Sequence, residues 1–219
     1  MKQNLFSTLC FAVVLCCVCR GQASMRSQRV GTFAQEVRVN YTEADGLLDN
    51  EVQALAVCAS GEVYAATRAG LGFYAQGKWQ TVPSLKGQAV WMLACQGNTV
   101  VALTGRSGGE YLQACQIHIV KSQRVERLFP VPDQFRVRAG VKGMALDTEL
   151  FLVASNDVYA LNLKETDDAV FARARALNLQ NPDIRQIAVH QEGGLYVAAR
   201  SGLLGYDAQA QCWTPVYPQ

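Results

Sequence analysis

GLLDNEVQALAVCASGEVYAATRAGLGFYAQGKWQTV, residues Gly46–Val82, decides how this chain is read. An apolar run from Val52 to Val57 reaches a polar turn at Ser60-Gly61. A second run, Val63 to Ala66, ends at Gly70, and a third, Leu71 to Tyr74, ends at Gln76-Gly77. Trp79 to Val82 closes the unit. Short apolar runs of strand length, divided by turn residues, predict an antiparallel meander of four strands. Glycine recurs at the divisions because such turns need positive φ, which is cheap only without a Cβ.

The pattern returns near the C-terminus, where Gly193, Gly202, Leu203 and Tyr206 fall on Gly61, Gly70, Leu71 and Tyr74 at one offset. Trp213 matches Trp79 two residues out of step. Two fainter copies lie between. Aligned on their inner strands, the units place Cys58, Cys95, Leu146 and His190 at one repeat position, spaced by 37, 51 and 44 residues. Four strands in every 40 to 45 residues are the signature of a propeller blade. The prediction is an all-β fold, a β-propeller of four recognisable four-stranded blades at roughly residues 46–83, 88–132, 135–179 and 182–217. Runs apolar on both faces, such as Val63 to Ala66, fit blades covered on both sides, whereas a one-sided sheet alternates. Residues 167–179 have a helix-like composition, but register makes them the outer strand of the third blade. Trp79, Trp91 and Trp213 are expected to pack between blades.

The phrase Asp45-Gly46-Leu47-Leu48-Asp49-Asn50-Glu51-Val52, then Gly61-Glu62-Val63-Tyr64 and Gly70-Leu71, resembles the two-component-regulator propeller repeat. Ile184 to Tyr206 resembles it nearly as well. The resemblance implies a propeller like those of periplasmic sensors or secreted accessory proteins. The chain departs from that family at Cys58, Cys95, Leu146 and His190, where the family often carries an acidic residue. Glu36 to Tyr41 alternates and reads as one outer strand too many, as if it closed a ring whose other strands lie past Gln219. The chain is therefore expected to be the first part of a larger ring, or a shortened copy of one.

The chain's 219 residues are 50% hydrophobic and 17% charged, which excludes disorder. Residues 1–23 read as a secretory leader: Lys2, an uncharged apolar run from Leu5 to Val18, and small residues before a cut after Ala23. The apolar run is shorter than the ~20 residues a membrane span needs. Residues 24–35 are expected to be a loose segment before the propeller at 36–219. The formal charge of +2 includes Lys2 and Arg20, so the remainder is neutral and has no electrostatic case for nucleic acid. The protein is expected to be secreted or periplasmic. Of its eight cysteines, Cys58, Cys95, Cys115 and Cys212 lie outside the leader and are the candidates for disulfides, with three connectivities open.

Catalytic constellations are missing from the sequence. No nucleophile elbow, phosphate loop or dinucleotide fingerprint appears. Two histidines without ligand spacing do not make a metal site, and no cofactor is expected. His118 is expected to face outward on its strand. His190, at an inner-strand end, and Asp45 and Asp49, in the acidic loop before the first blade, are the ligand-face candidates. The expected function is non-catalytic binding of an unknown ligand or protein partner by loops at one face of the ring. The alternatives are a propeller lyase or lactonase, which needs metal ligands from several blades, and a structural part of a larger assembly.

Overall fold

The computed structural model describes residues 40–216, apart from residues 182 and 191–193. The expected leader, the loose segment and most of the strand expected at 36–41 lie outside the described residues. Of that strand, Asn40 and Tyr41 are described and are not strand.

Four antiparallel meanders follow one another, each hydrogen-bonded in chain order. The first is β1 (Val52–Val57), β2 (Val63–Thr67), β3 (Gly70–Ala75) and β4 (Lys78–Thr81). The second is β5 (Val90–Gln96), β6 (Thr99–Gly108), β7 (Tyr111–Lys121) and β8 (Arg124–Pro130). The third is β9 (Met144–Leu146), β10 (Leu150–Ala154), β11 (Asp157–Leu161) and β12 (Arg175–Ala176). The fourth is β13 (Ile184–Val189), β14 (Leu195–Ala199), β15 (Gly202–Asp207) and β16 (Cys212–Pro215). The innermost strands β1, β5, β9 and β13 are neighbours in that order. This is the blade architecture of a β-propeller.

The core consists of the seams between blades. Ala56, Tyr64, Ala66 and Leu71 of the first blade pack with Leu93, Val100 and Ala102 of the second. Val101, Leu103 and Ile117, from the other face of the second blade, pack with Leu150, Leu152 and Leu161 of the third. Ala145, Val153 and Ala160 pack with Ile187, Leu195 and Val197 of the fourth. Strands β6 and β10 therefore bury residues on both faces. Trp213 closes the last seam by donating its indole N–H to the Leu177 carbonyl of the preceding blade, at 2.9 Å.

The third blade corrects the expectation for residues 167–179. They begin with a short helix, α1 (Asp167–Ala172), and leave an outer strand of only two residues. Helix α1 inserts Val170 and Phe171 into the cluster between blades two and three, with Phe171 beside Phe129 and Phe135. Arg127 of β8 holds the loop before it, donating to Asp167 Oδ1 and to the carbonyls of Leu163 and Glu165. A helical apolar pair and one arginine replace a strand.

The middle units are also shifted in register. Ala56 pairs Tyr64 in the first blade and Ala188 pairs Tyr196 in the fourth, so His190 does correspond to Cys58. In the second and third blades the partners are Ala94 with Val101 and Ala145 with Phe151. Gln96 and Asp147 therefore hold the Cys58 position, because the first turns of these blades are shorter. The shift has a chemical consequence. Two cysteines in identical register would face the same way, and side chains that short would not meet across a seam. Displaced by one residue, Cys95 faces the first blade while Cys58 faces the second, and the two form a disulfide with a Cα separation of 5.7 Å. Cys115 is buried and Cys212 is exposed, both as free thiols. Burial pushes the Cys115 thiol up to about 11.

His118 does not face outward. It is buried in the seam between the first two blades, with Nε2 2.9 Å from Thr104 Oγ1. Strand alternation has no solvent side in a blade covered on both faces. Burial disfavours the imidazolium and lowers the His118 pKa from 6.5.

The disulfide closes a 37-residue separation, so reduction or Cys58→Ser is expected to lower unfolding free energy by about 3–4 kcal/mol. Urea unfolding with and without reductant measures this, and coincident curves would contradict it. His118 gives a pH prediction. The unfolded imidazole takes up its proton near 6.5, before the folded one, so stability is full above that pH and falls as pH drops below it. Urea midpoints between pH 7.5 and 5.5 should fall less steeply in His118→Gln than in wild type. Parallel profiles would show that His118 does not titrate differently in the two states.

Candidate functional site

Each blade sends its first and third turns to one end of the molecule. The second turn and the link to the next blade go to the other. Cavities open at that second end, lined by these turns and links and by the strand ends that meet them.

The largest, about 720 Å³, is a groove between the first two blades, lined by Arg68, Gln88, Trp91, Thr104, Arg106 and Gln116 among others. Trp91 reaches it because of a bulge. Val90 pairs Thr104 and Met92 pairs Leu103, which leaves Trp91 as the extra residue of β5. A bulge re-aims its side chain away from the regular pleat. Half-buried, Trp91 packs against the cluster between blades two and three, as expected, and also lines the groove. Its indole N–H donates to the Gly105 carbonyl at 2.9 Å, which fixes the ring. The Arg68 guanidinium lies 5.9 Å from the ring centre and also pairs with Glu51 at 3.1 Å. Arg106 is exposed and has no ion pair among the described residues. An aromatic plate beside the Arg68 guanidinium, with Arg106 on the same lining, suits a flat or ring-bearing ligand that carries negative charge.

The β6–β7 hairpin forms one wall. At ten and eleven residues its strands outrun their counterparts and project beyond the sheet. The hairpin separates the first groove from a second cavity of about 570 Å³, lined by Tyr111, Leu112, Gln113, Pro132, Phe135 and Arg136 among others. There the Arg136 guanidinium sits 3.9 Å above the Tyr111 ring, and Arg138 pairs with Glu110 at the hairpin tip. A cavity of about 210 Å³ at the axis is lined from all four innermost strands, including Gln53, Met92, Met144 and Gln186.

The residues singled out from sequence lie elsewhere. His190 is exposed at the first turn of the fourth blade, at the end opposite the cavities. The same position in blades two and three holds Gln96 and Asp147, whose side chains hydrogen-bond across their seam at 2.5 Å. Asp45 caps the 3-10 turn at residues 43–45, accepting from the Thr42 N–H and hydroxyl. Asp49 accepts from the Glu51 N–H at 2.8 Å. The structure does not bring His190, Asp45 and Asp49 together. Among the described residues no three of His, Cys, Asp and Glu are grouped to hold a metal. Trp91 and Arg68 were visible in the sequence only as a tryptophan and a turn arginine. The long β6–β7 hairpin has its trace in the sequence, the glycine-rich stretch Gly105 to Glu110 followed by the long run Tyr111 to Val120.

No family model matches this chain, and no curated protein does. Solved structures do. An extracellular domain from B. thetaiotaomicron, described as part of a hybrid two-component system, is 16% identical with a TM-score of 0.52 over 77% of this chain and 22% of its own. PorZ, a surface component of the type-IX secretion system of Porphyromonas gingivalis, is 17% identical with a TM-score of 0.50 over 77% and 21%. A chain of the mitotic checkpoint complex is 13% identical with a TM-score of 0.54 over 84% and 59%. The chain spans about a fifth of the length of the first two. At these identities the likeness is one of fold. The propeller read from the repeat is the observed architecture, and its solved counterparts include extracellular two-component domains, the class whose repeat the Asp45 to Val52 and Gly61 to Leu71 segments resemble.

Proposed function

We propose that this chain is an exported, non-catalytic recognition module of the two-component sensor-propeller type, and that it binds an anionic ligand in the groove of Arg68, Trp91 and Arg106. The carrying observation is the lining of that groove. It offers two guanidinium groups, a fixed indole, two amides and two hydroxyls, and no carboxylate, imidazole or thiol. Such a set grips a charged, ring-bearing molecule and holds no acid–base pair to transform it. Export is supported by the leader read at residues 1–23, by the disulfide, and by the extracellular domains that share the fold. The loops around the groove are free to vary because the seams beneath them carry the fold.

Calorimetric titration of the protein lacking residues 1–23 against dicarboxylates, sugar phosphates and uronic-acid oligosaccharides tests this reading. A charged member of the panel should bind, and its uncharged analogue should not. Arg106→Ala should weaken binding by about 10- to 100-fold, the range of a charge-assisted hydrogen bond, with urea stability unchanged. A ligand that binds equally well to the Arg106→Ala and Trp91→Ala variants would place recognition away from this groove.

A further inference from the structure

Among the described residues, the three seams leave one face of the first blade and one face of the fourth without a neighbouring blade. No neighbour relation like that of β1 with β5 joins β13 to β1. Leu55 and Val57 of β1 are 63% and 66% exposed, while Ile187, the counterpart of Leu55, is 4% exposed beneath the third blade. On the opposite side, Ala56, Tyr64, Ala66 and Leu71 lie buried under the second blade. Their counterparts in the fourth blade are the same residue types: Ala188, Tyr196, Ala198 and Leu203. Ala188 and Ala198 are exposed, and Tyr196 and Leu203 are half-buried. Val82 and Leu177 follow the outer strands of the first and third blades and are 0% and 2% exposed, whereas Val216, in the same place after β16, is 41% exposed. The first blade shows its need at a polar atom too. Trp213 has an acceptor in the blade before it, but the indole N–H of Trp79 is withdrawn from solvent with no acceptor among the described residues.

The two open faces are thus the two halves of a seam the chain already makes three times. We propose that they are covered by a second copy of this chain, joined head to tail. The fourth blade of each copy stacks on the first blade of the other, through Ala188, Tyr196, Ala198 and Leu203 against Leu55 and Val57. Each copy carries one face of each kind, so two copies satisfy all four faces and close an eight-blade ring about a two-fold axis. The contact is centred on the inner strands, because Tyr41 already lies over Tyr74 and Trp79 at the outer edge of the first blade. A pair of matched apolar sheet faces is a better occupant for these residues than a charged or extended partner. Both faces lack charged side chains at the positions named.

Light scattering coupled to size exclusion, on the protein lacking residues 1–23, tests this. Wild type should run at twice the chain mass. Leu55→Glu and Ala198→Glu replace exposed side chains, so each should fold, as circular dichroism verifies, and each should run at one chain mass. Mixing the two variants should restore a dimer, since one seam of the mixed ring then joins an unaltered Leu55 to an unaltered Ala198. A wild-type monomer, which is what closure by further blades or by the chain on itself gives, would overturn the proposal. So would an Ala198→Glu variant that stays dimeric, which is what a first-blade to first-blade contact gives.

Discussion

A four-stranded blade has two apolar faces and cannot bury both by itself. Every other feature of this molecule depends on that. Ala56 and Tyr64 on one side of the first blade and Leu55 and Val57 on the other are all apolar, yet only the first pair is covered. At about 25 cal/mol per Å² of buried apolar surface, one covered Leu or Val side chain contributes roughly 1.5–3 kcal/mol. A seam of a dozen such residues outweighs any single hydrogen bond in the loops. Stability is therefore a sum over neighbouring blades, with the local chain supplying strands and turns and the seam supplying most of the energy.

The same constraint places the candidate site. Because the seams hold β5 and β6 rigidly, a one-residue bulge can bring Trp91 to the groove while its ring still packs against the seam between blades two and three. The hydrogen bond to Gly105 then fixes the ring. The β6–β7 hairpin rises from the same rigid base, so its arginine and amide side chains stand at a defined height above the groove. The polar links between blades, Cys58 to Cys95 and Gln96 to Asp147, lie at the opposite end, where they tie the innermost strands together.

Much of the fold was legible in the residues, because glycine turns at Gly61 and Gly70, and at Gly202 as the copy of Gly70, mark strand boundaries by a steric rule. Less was legible where the structure solved a problem with a different element. Asp167 to Ala172 form a helix because Phe171 finds an aromatic pocket at Phe129 and Phe135, a partner far away in sequence. The disulfide was hidden by the repeat itself. Aligned without gaps, Cys58 and Cys95 share one position and face the same way. Only the shorter first turn of the second blade turns Cys95 back toward the first. His118 misled for a related reason, since alternation along β7 separates two seams and not core from solvent. The groove was the least legible, because Trp91 looks like its fellow tryptophans until strand pairing reveals the bulge.

The central claim is that each blade is stable only through the blades beside it. Hydrogen exchange followed by mass spectrometry, on the Leu55→Glu chain held as a single copy, tests it most directly. The account predicts that the amides of β6 and β10, in blades flanked on both sides, exchange slowest. Those of β1, β15 and β16, next to the open faces, should exchange orders of magnitude faster. Equal protection across all four sheets would contradict it, because it would mean that each blade holds its strands without a neighbour.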